Sequence, residues 1–206
     1  MKMILVSRYH PLLVVLHWLL AVLIVGLLCV GFIVLASMSN ADPRKISILM
    51  WHMSAGMLVL TLMVIRFVVR MSTNRPADVT TGYSALDRIA RVSDYGFYVL
   101  VLLMVGSGYA TAILAGLNRS VFQDSGEPLP SNFEAYPSFV AHSWLALLLA
   151  GLIVLHVLAA LYHQFARRVR LFRRMWFGPR VSDRPAPMNN SLGQEKHLST
   201  IDLASG

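Results

Sequence analysis

The sequence is short of acid, of cysteine and of evenly spread charge, and each shortage closes off a class of answer. Ten Asp and Glu stand against 18 Lys and Arg, and charged residues fill 14% of 206 positions while hydrophobic ones fill 56%. By length the chain would pass for one soluble domain, but its apolar residues are not dispersed. The single cysteine, Cys29, has no partner for an intrachain disulfide and says nothing about compartment. The net charge of +8 would suit nucleic acid. The basic residues stand beside apolar runs, however, where they set topology and meet anionic headgroups, so membrane lipid is the expected partner and nucleic acid is not. No internal repeat is visible.

Charge is missing altogether from four blocks: Pro11–Asn40, Ile46–Ile65, Tyr95–Asn118 and Ala135–Ala166. Each supplies the roughly 20 apolar residues that a hydrocarbon core requires. The first follows Lys2 and Arg8 and could be mistaken for a secretory signal. It is about twice the typical h-region of about 7–15 residues, carries His17 and lacks a clean cleavage site, so it reads as a retained span.

The basic residues then orient the spans. The N-terminus, the second loop and the C-terminal tail hold 15 of the 18 Lys and Arg, and only Arg44, Lys45 and Arg119 fall on the other side. By the positive-inside rule both termini are cytoplasmic. The expected fold is an all-α integral membrane four-helix bundle, with helices over about 10–37, 47–71, 90–117 and 136–166. Asp42-Pro43 favours a tight turn that makes the first two helices antiparallel neighbours. Leu86–Val92 offers a short amphipathic start to the third helix. The external segment of about 119–138 holds Pro128, Pro130, Pro137, Asp124, Glu127 and Glu134 and is too polar to enter lipid. Residues 1–178 form the membrane domain on this reading, and 179–206, rich in Pro, Ser and Asn, a flexible cytoplasmic tail.

Seven histidines are present, and four lie well inside spans. An ionisable side chain at membrane depth is costly and usually faces the bundle interior in a functional role. His142 and His156 are fourteen residues apart, which puts them on nearly one helical face and about 21 Å apart along the axis. His17 matches the depth of His156 near the cytoplasmic side, and His52 matches His142 near the outside. Two bis-histidine b-type haems fit these pairs, with the protein supplying axial ligands and a dry pocket. Any one membrane histidine could instead hydrogen-bond to a neighbouring helix. A divalent metal, bound or transported, is the sharper competitor, because imidazole also suits zinc. No Asp, Glu or nearby Cys accompanies the four histidines to complete such a site.

The remaining groups carry less. His163, seven residues beyond His156, could serve at a quinone or haem edge or simply face the surface. His10 stands at the mouth of the first helix as an alternative to His17, and His197 lies in the tail. Arg66 and Arg70 suit haem propionates as guanidinium forks suit carboxylates, and serve equally as topology anchors. Gly56 and Gly151 would let a flat macrocycle approach the backbone, or pack helices. The methionines read as gap-fillers, and Trp18, Trp51, Trp144 and Trp176 as interfacial belt residues.

Taken in order, His17-Trp18, then Trp51-His52 with Ser54 and Gly56, then Arg66 with Arg70, then His142 and Leu155-His156 resemble the bacterial cytochrome b561 family over about residues 9–176. The resemblance implies a di-haem protein of the bacterial inner membrane and its respiratory chain that exchanges electrons with membrane quinone. Its four ligand positions match His17, His52, His142 and His156. Members act alone, in one case oxidising superoxide outside and reducing quinone, or as anchors for periplasmic dehydrogenases and hydrogenases. Many carry a histidine at the start of helix 3, where this chain reads Arg91-Val92-Ser93-Asp94. A role resting on that histidine does not carry over.

The expected function is transmembrane electron transfer through two haems between a periplasmic redox protein or dehydrogenase and quinone. Whether the chain is itself a quinone-linked oxidoreductase turns on what meets its outer face. Four acidic and three basic residues there give −1, a weak steering field for an anion such as superoxide, which favours a protein partner. A homo-oligomer is compatible with the sequence.

Overall fold

In the computed structural model the described residues are 8–73, 84–123, 125–166, 175–176 and 178, with backbone alone for 84–91 and 94. The tail expected over 179–206, with His197, lies outside them. The described chain is an all-α membrane bundle. Four helical stretches, Pro11–Leu35, Arg44–Ser72, Tyr95–Leu114 and Pro137–Ala166, are long and apolar enough to cross a bilayer.

Helix α1 runs over Pro11–Cys29 and continues as a π-helical turn over Val30–Leu35. His10 caps it: its Nδ1 accepts the backbone N–H of Leu12 at 3.2 Å, and Pro11 occupies the first turn, where a missing N–H costs nothing. A five-turn apolar helix needs no more than that to start. Helix α2 spans Arg44–Ser72. Asp42 accepts the backbone N–H of Arg44 at 2.9 Å and pairs with its guanidinium at 2.7 Å, which holds the Asp42 carboxyl below the ordinary carboxylate range.

Helix α3 spans Ser84–Leu114, so the expected amphipathic start and the membrane span form one continuous helix. It ends three residues earlier than expected. Gly116 takes φ +66°, a left-handed conformation that glycine adopts without Cβ strain, and its N–H bonds the carbonyl of Ile113. The chain then turns into a short helix, α4, over Leu117–Phe122, a stretch expected to hold the end of the third span at 117 and the start of the external segment at about 119. Leu117 and Val121 of α4 pack with Ala112, Leu129 and Phe133 to close the end of the bundle opposite residues 8 and 176. Helix α5 spans Pro137–Leu161, again with proline in its first turn, and continues as a π-helical turn over Tyr162–Ala166.

α1 packs on α2, α2 on α3, and α3 on α5. The central layer consists of Leu20, Val59, Met63, Val101 and Leu149. Large apolar side chains cover the outside, among them Trp51, Trp144 and Ile33, as a surface facing lipid requires. The inward face of α5 repeats every seven residues, nearly two turns, through His142, Leu149 and His156. That of α2 does so through Lys45, His52, Val59 and Arg66. The apolar layer therefore falls midway between two histidine levels.

Candidate functional site

Two histidine pairs lie at opposite ends of the bundle, and their geometry is alike. The ring centroids of His17 and His156 are 6.4 Å apart, and those of His52 and His142 are also 6.4 Å apart. The structure thus brings together the residues that depth alone had paired. Helices α1 and α5 present the first pair, α2 and α5 the second.

At the outer pair, α3 forms the wall behind His142. The Nδ1 of His142 lies 2.9 Å from the carbonyl oxygen of Met104 and 3.2 Å from the Oγ of Ser107. A carbonyl only accepts, so Nδ1 carries the proton and Nε2 is left with its lone pair. The ring sits directly against Gly108, where an added Cβ would stand 3.0 Å from its Cε1 and 3.2 Å from Nδ1. Across from it, His52 lies against Gly31, whose Cβ would meet the His52 Cε1 at 3.7 Å. The Nδ1 of His52 is buried without a hydrogen-bond partner. A buried ring nitrogen with nothing to meet calls for a group from outside the chain.

Between these histidines lies an otherwise apolar cavity of about 390 Å³, reached also by Lys45, Gly56 and Tyr109. A Cβ at Gly56 would touch nothing within 4 Å, so its face is open space, as a flat ring lying against the helix would require. An ion held between two imidazole nitrogens at about 2 Å from each separates the ring centroids by roughly 6 Å. The observed spacing fits an iron ligated from both faces. Among the described residues no three His, Cys, Asp or Glu side chains converge. A structural zinc ion takes four such ligands.

The inner pair is framed by aromatic and cationic groups. The ring of Phe97 meets His156 edge-on at 5.3 Å, and Trp18 lies 5.5 Å from His17. Arg66 donates to the carbonyl of Leu13, one turn before His17, at 2.8 Å. Arg70 lies 5.9 Å over the ring of Tyr95. His163 belongs to the π-helical turn and stands edge-on to Tyr162 at 5.6 Å, outside both pairs, and His10 serves as a helix cap. Trp18 Nε1 donates to the carbonyl of Met175, Arg8 to that of Trp176, and the two indoles meet at 6.3 Å. Residues 8 and 176 therefore share one end of the bundle. Gly151 borders neither pair within 4 Å of an added Cβ.

Sequence reasoning missed Gly31, Gly108, the Met104 carbonyl, Ser107 and Lys45. The available signal was Gly106-Ser107-Gly108, a polar and backbone-exposing interruption in an apolar span, and the seven-residue register of Lys45 with His52.

The model of the prokaryotic cytochrome b561 family matches residues 8–178. The chain is also 28% identical over 173 residues, covering 82% of itself and 91% of the relative, to cytochrome b561 homolog 2 of Escherichia coli (strain K12). Match and fold agree, and the chain belongs to the prokaryotic cytochrome b561 family of membrane cytochromes b, which bind b-type haem and work in electron transfer.

Proposed function

We propose that the chain carries electrons across the bacterial inner membrane through two bis-histidine haems, one held by His17 and His156 and one by His52 and His142. The observation that supports this most is the repeated 6.4 Å centroid separation in two pairs at opposite ends of one bundle. Bound haem supplies one-electron iron chemistry at each level. The protein's part is to fix the imidazoles, exclude water and set the local charge. The Met104 carbonyl locks the His142 tautomer, Gly108 admits its ring, and the layer of Leu20, Val59, Val101 and Leu149 keeps the space between the two levels apolar.

Residues 1–178 act as this unit with both termini cytoplasmic, and 179–206 as a tail. The inner end, with Arg66, Arg70 and His163, is the side for quinone exchange. The outer end faces the periplasm. There Arg44 is paired with Asp42 at 2.7 Å, Arg119 lies 3.8 Å from Glu127, and Lys45 is buried. Those cations offer little steering field for superoxide, which favours a periplasmic redox protein as donor over stand-alone superoxide oxidation. Reduced-minus-oxidised spectroscopy of the purified chain tests the reading: a b-type α-band supports it, and a spectrum without one rejects it.

A further inference from the structure

Lys45 is 7% exposed, at the outer end of a membrane helix, and a buried ammonium is costly unless its charge is met. Its Nζ donates to the carbonyl of Met38 at 2.8 Å and to Asn40 Oδ1 at 2.7 Å, and lies 6.0 Å over the ring of Phe133. All three are neutral. Among the described residues no carboxylate pairs with it. An ammonium has three N–H donors, so one donor and the whole charge remain to be satisfied.

Position supplies the counterpart. Lys45 lines the cavity between His52 and His142. It stands seven residues before His52 on the same face of α2, about 10 Å nearer the outer surface. Arg66, on the same seven-residue register, reaches the turn that carries His17 at the other end. A haem bears its two carboxylates on one edge. Resting on the ligand reading above, we propose that Lys45 binds a propionate of the haem held by His52 and His142, turning the acid edge outward and raising that haem's reduction potential. Asn40 holds the ammonium in place: its Nδ2 donates to the carbonyls of Pro130 and Ser131, tying the first external loop to the second, and its Oδ1 accepts from Lys45.

Redox titration of the full-length holoprotein in detergent tests the assignment. A unit charge at about 10 Å in an effective dielectric of about 20 shifts a one-electron equilibrium by roughly tenfold. Lys45→Met should therefore lower the reduced-to-oxidised ratio of one haem about tenfold at fixed poise, about 59 mV, and leave the other unmoved. Lys45→Arg should retain the wild-type value. Unchanged potentials in Lys45→Met with both haems bound overturn the proposal, as does an equal shift in Lys45→Arg, which would trace the effect to loop packing around Lys45 rather than to its charge. If Lys45→Met loses haem, Lys45→Gln keeps neutral donors towards Met38 and Asn40 and carries the same comparison. Loss of haem in Met and Gln variants with retention in Arg supports the ion pair, and loss in all three overturns it. A wild-type chain lacking low-spin bis-imidazole haem would be a different failure, that of the ligand reading itself.

Discussion

The ring of His52 faces that of His142 across 6.4 Å, although the two residues come from different helices and are ninety positions apart in sequence. The same distance separates His17 from His156. Each pair therefore forms a site of its own, and the two are expected to fail independently. Replacing His142 with Ala should reduce haem content by about half while the chain remains helical and inserted, because the inner pair shares no ligand with the outer. Pyridine haemochrome assay against protein concentration measures this, and loss of all haem would show the sites to be coupled.

Gly108 and Gly106 make a matched comparison on opposite faces of α3. A Cβ at Gly108 would come 3.0 Å from the His142 ring, whereas one at Gly106 would meet nothing within 4 Å. Gly108→Ala should displace the ring at an overpacking cost of about 1–3 kcal/mol, roughly one to two decades of outer-haem affinity. Gly106→Ala should be silent. Haem occupancy of the two variants at limiting haem supply reads the difference.

Two arginines separate a buried charge-assisted bond from a surface ion pair. Arg66 donates to the Leu13 carbonyl in a partly buried setting, and a hydrogen bond from a charged group is worth about 1.5–3 kcal/mol. Arg44 pairs with Asp42 through a side chain that is 83% exposed, where solvent screens the pair and little stability is gained. Arg66→Met should lower the thermal midpoint in detergent clearly more than Arg44→Met. Equal shifts would contradict the assignment of Arg66 to the His17 turn.

Leu149 is only 2% exposed, midway between His142 and His156. Leu149→Ala should remove packing between the two levels and cost about 2 kcal/mol, the low end for such truncations because lipid is as apolar as the core. Both haems should remain bound. Leu149 also lines the His52–His142 cavity, so thermal unfolding with parallel haem assay checks that its truncation leaves both haems in place, and loss of the outer haem would show the side chain to hold that haem.

The outer face also predicts a slow reaction. With Arg44 and Arg119 close to carboxylates and Lys45 buried, superoxide should drive quinone reduction by the isolated chain only sluggishly. A generator-coupled quinone assay measures it. Rapid turnover would favour the stand-alone oxidoreductase over a protein donor.

Spans and histidine pairing were legible in the sequence for one reason: charge-free blocks fix where each helix enters lipid, and position within a helix converts to depth at 1.5 Å per residue. His17 could be set beside His156 by counting alone. What stayed hidden depends on which way a helix faces. Lys45 read as a topology anchor because its burial arises only when Met38, Asn40 and Phe133 close over it. Gly108 is one glycine among thirteen until the His142 ring is seen against it. α4 is too short for a helical period to register, and its start depends on the left-handed turn at Gly116. The meeting of Trp18 with Met175 and Trp176 joins segments more than 150 residues apart and leaves no local pattern.

The central claim is two bis-histidine haems in one chain, and haem stoichiometry with low-temperature electron paramagnetic resonance on the purified wild-type protein tests it most directly. The account predicts two b-type haems per polypeptide, both low-spin with two imidazole ligands. A ratio of one, or a high-spin signal from either site, would contradict it.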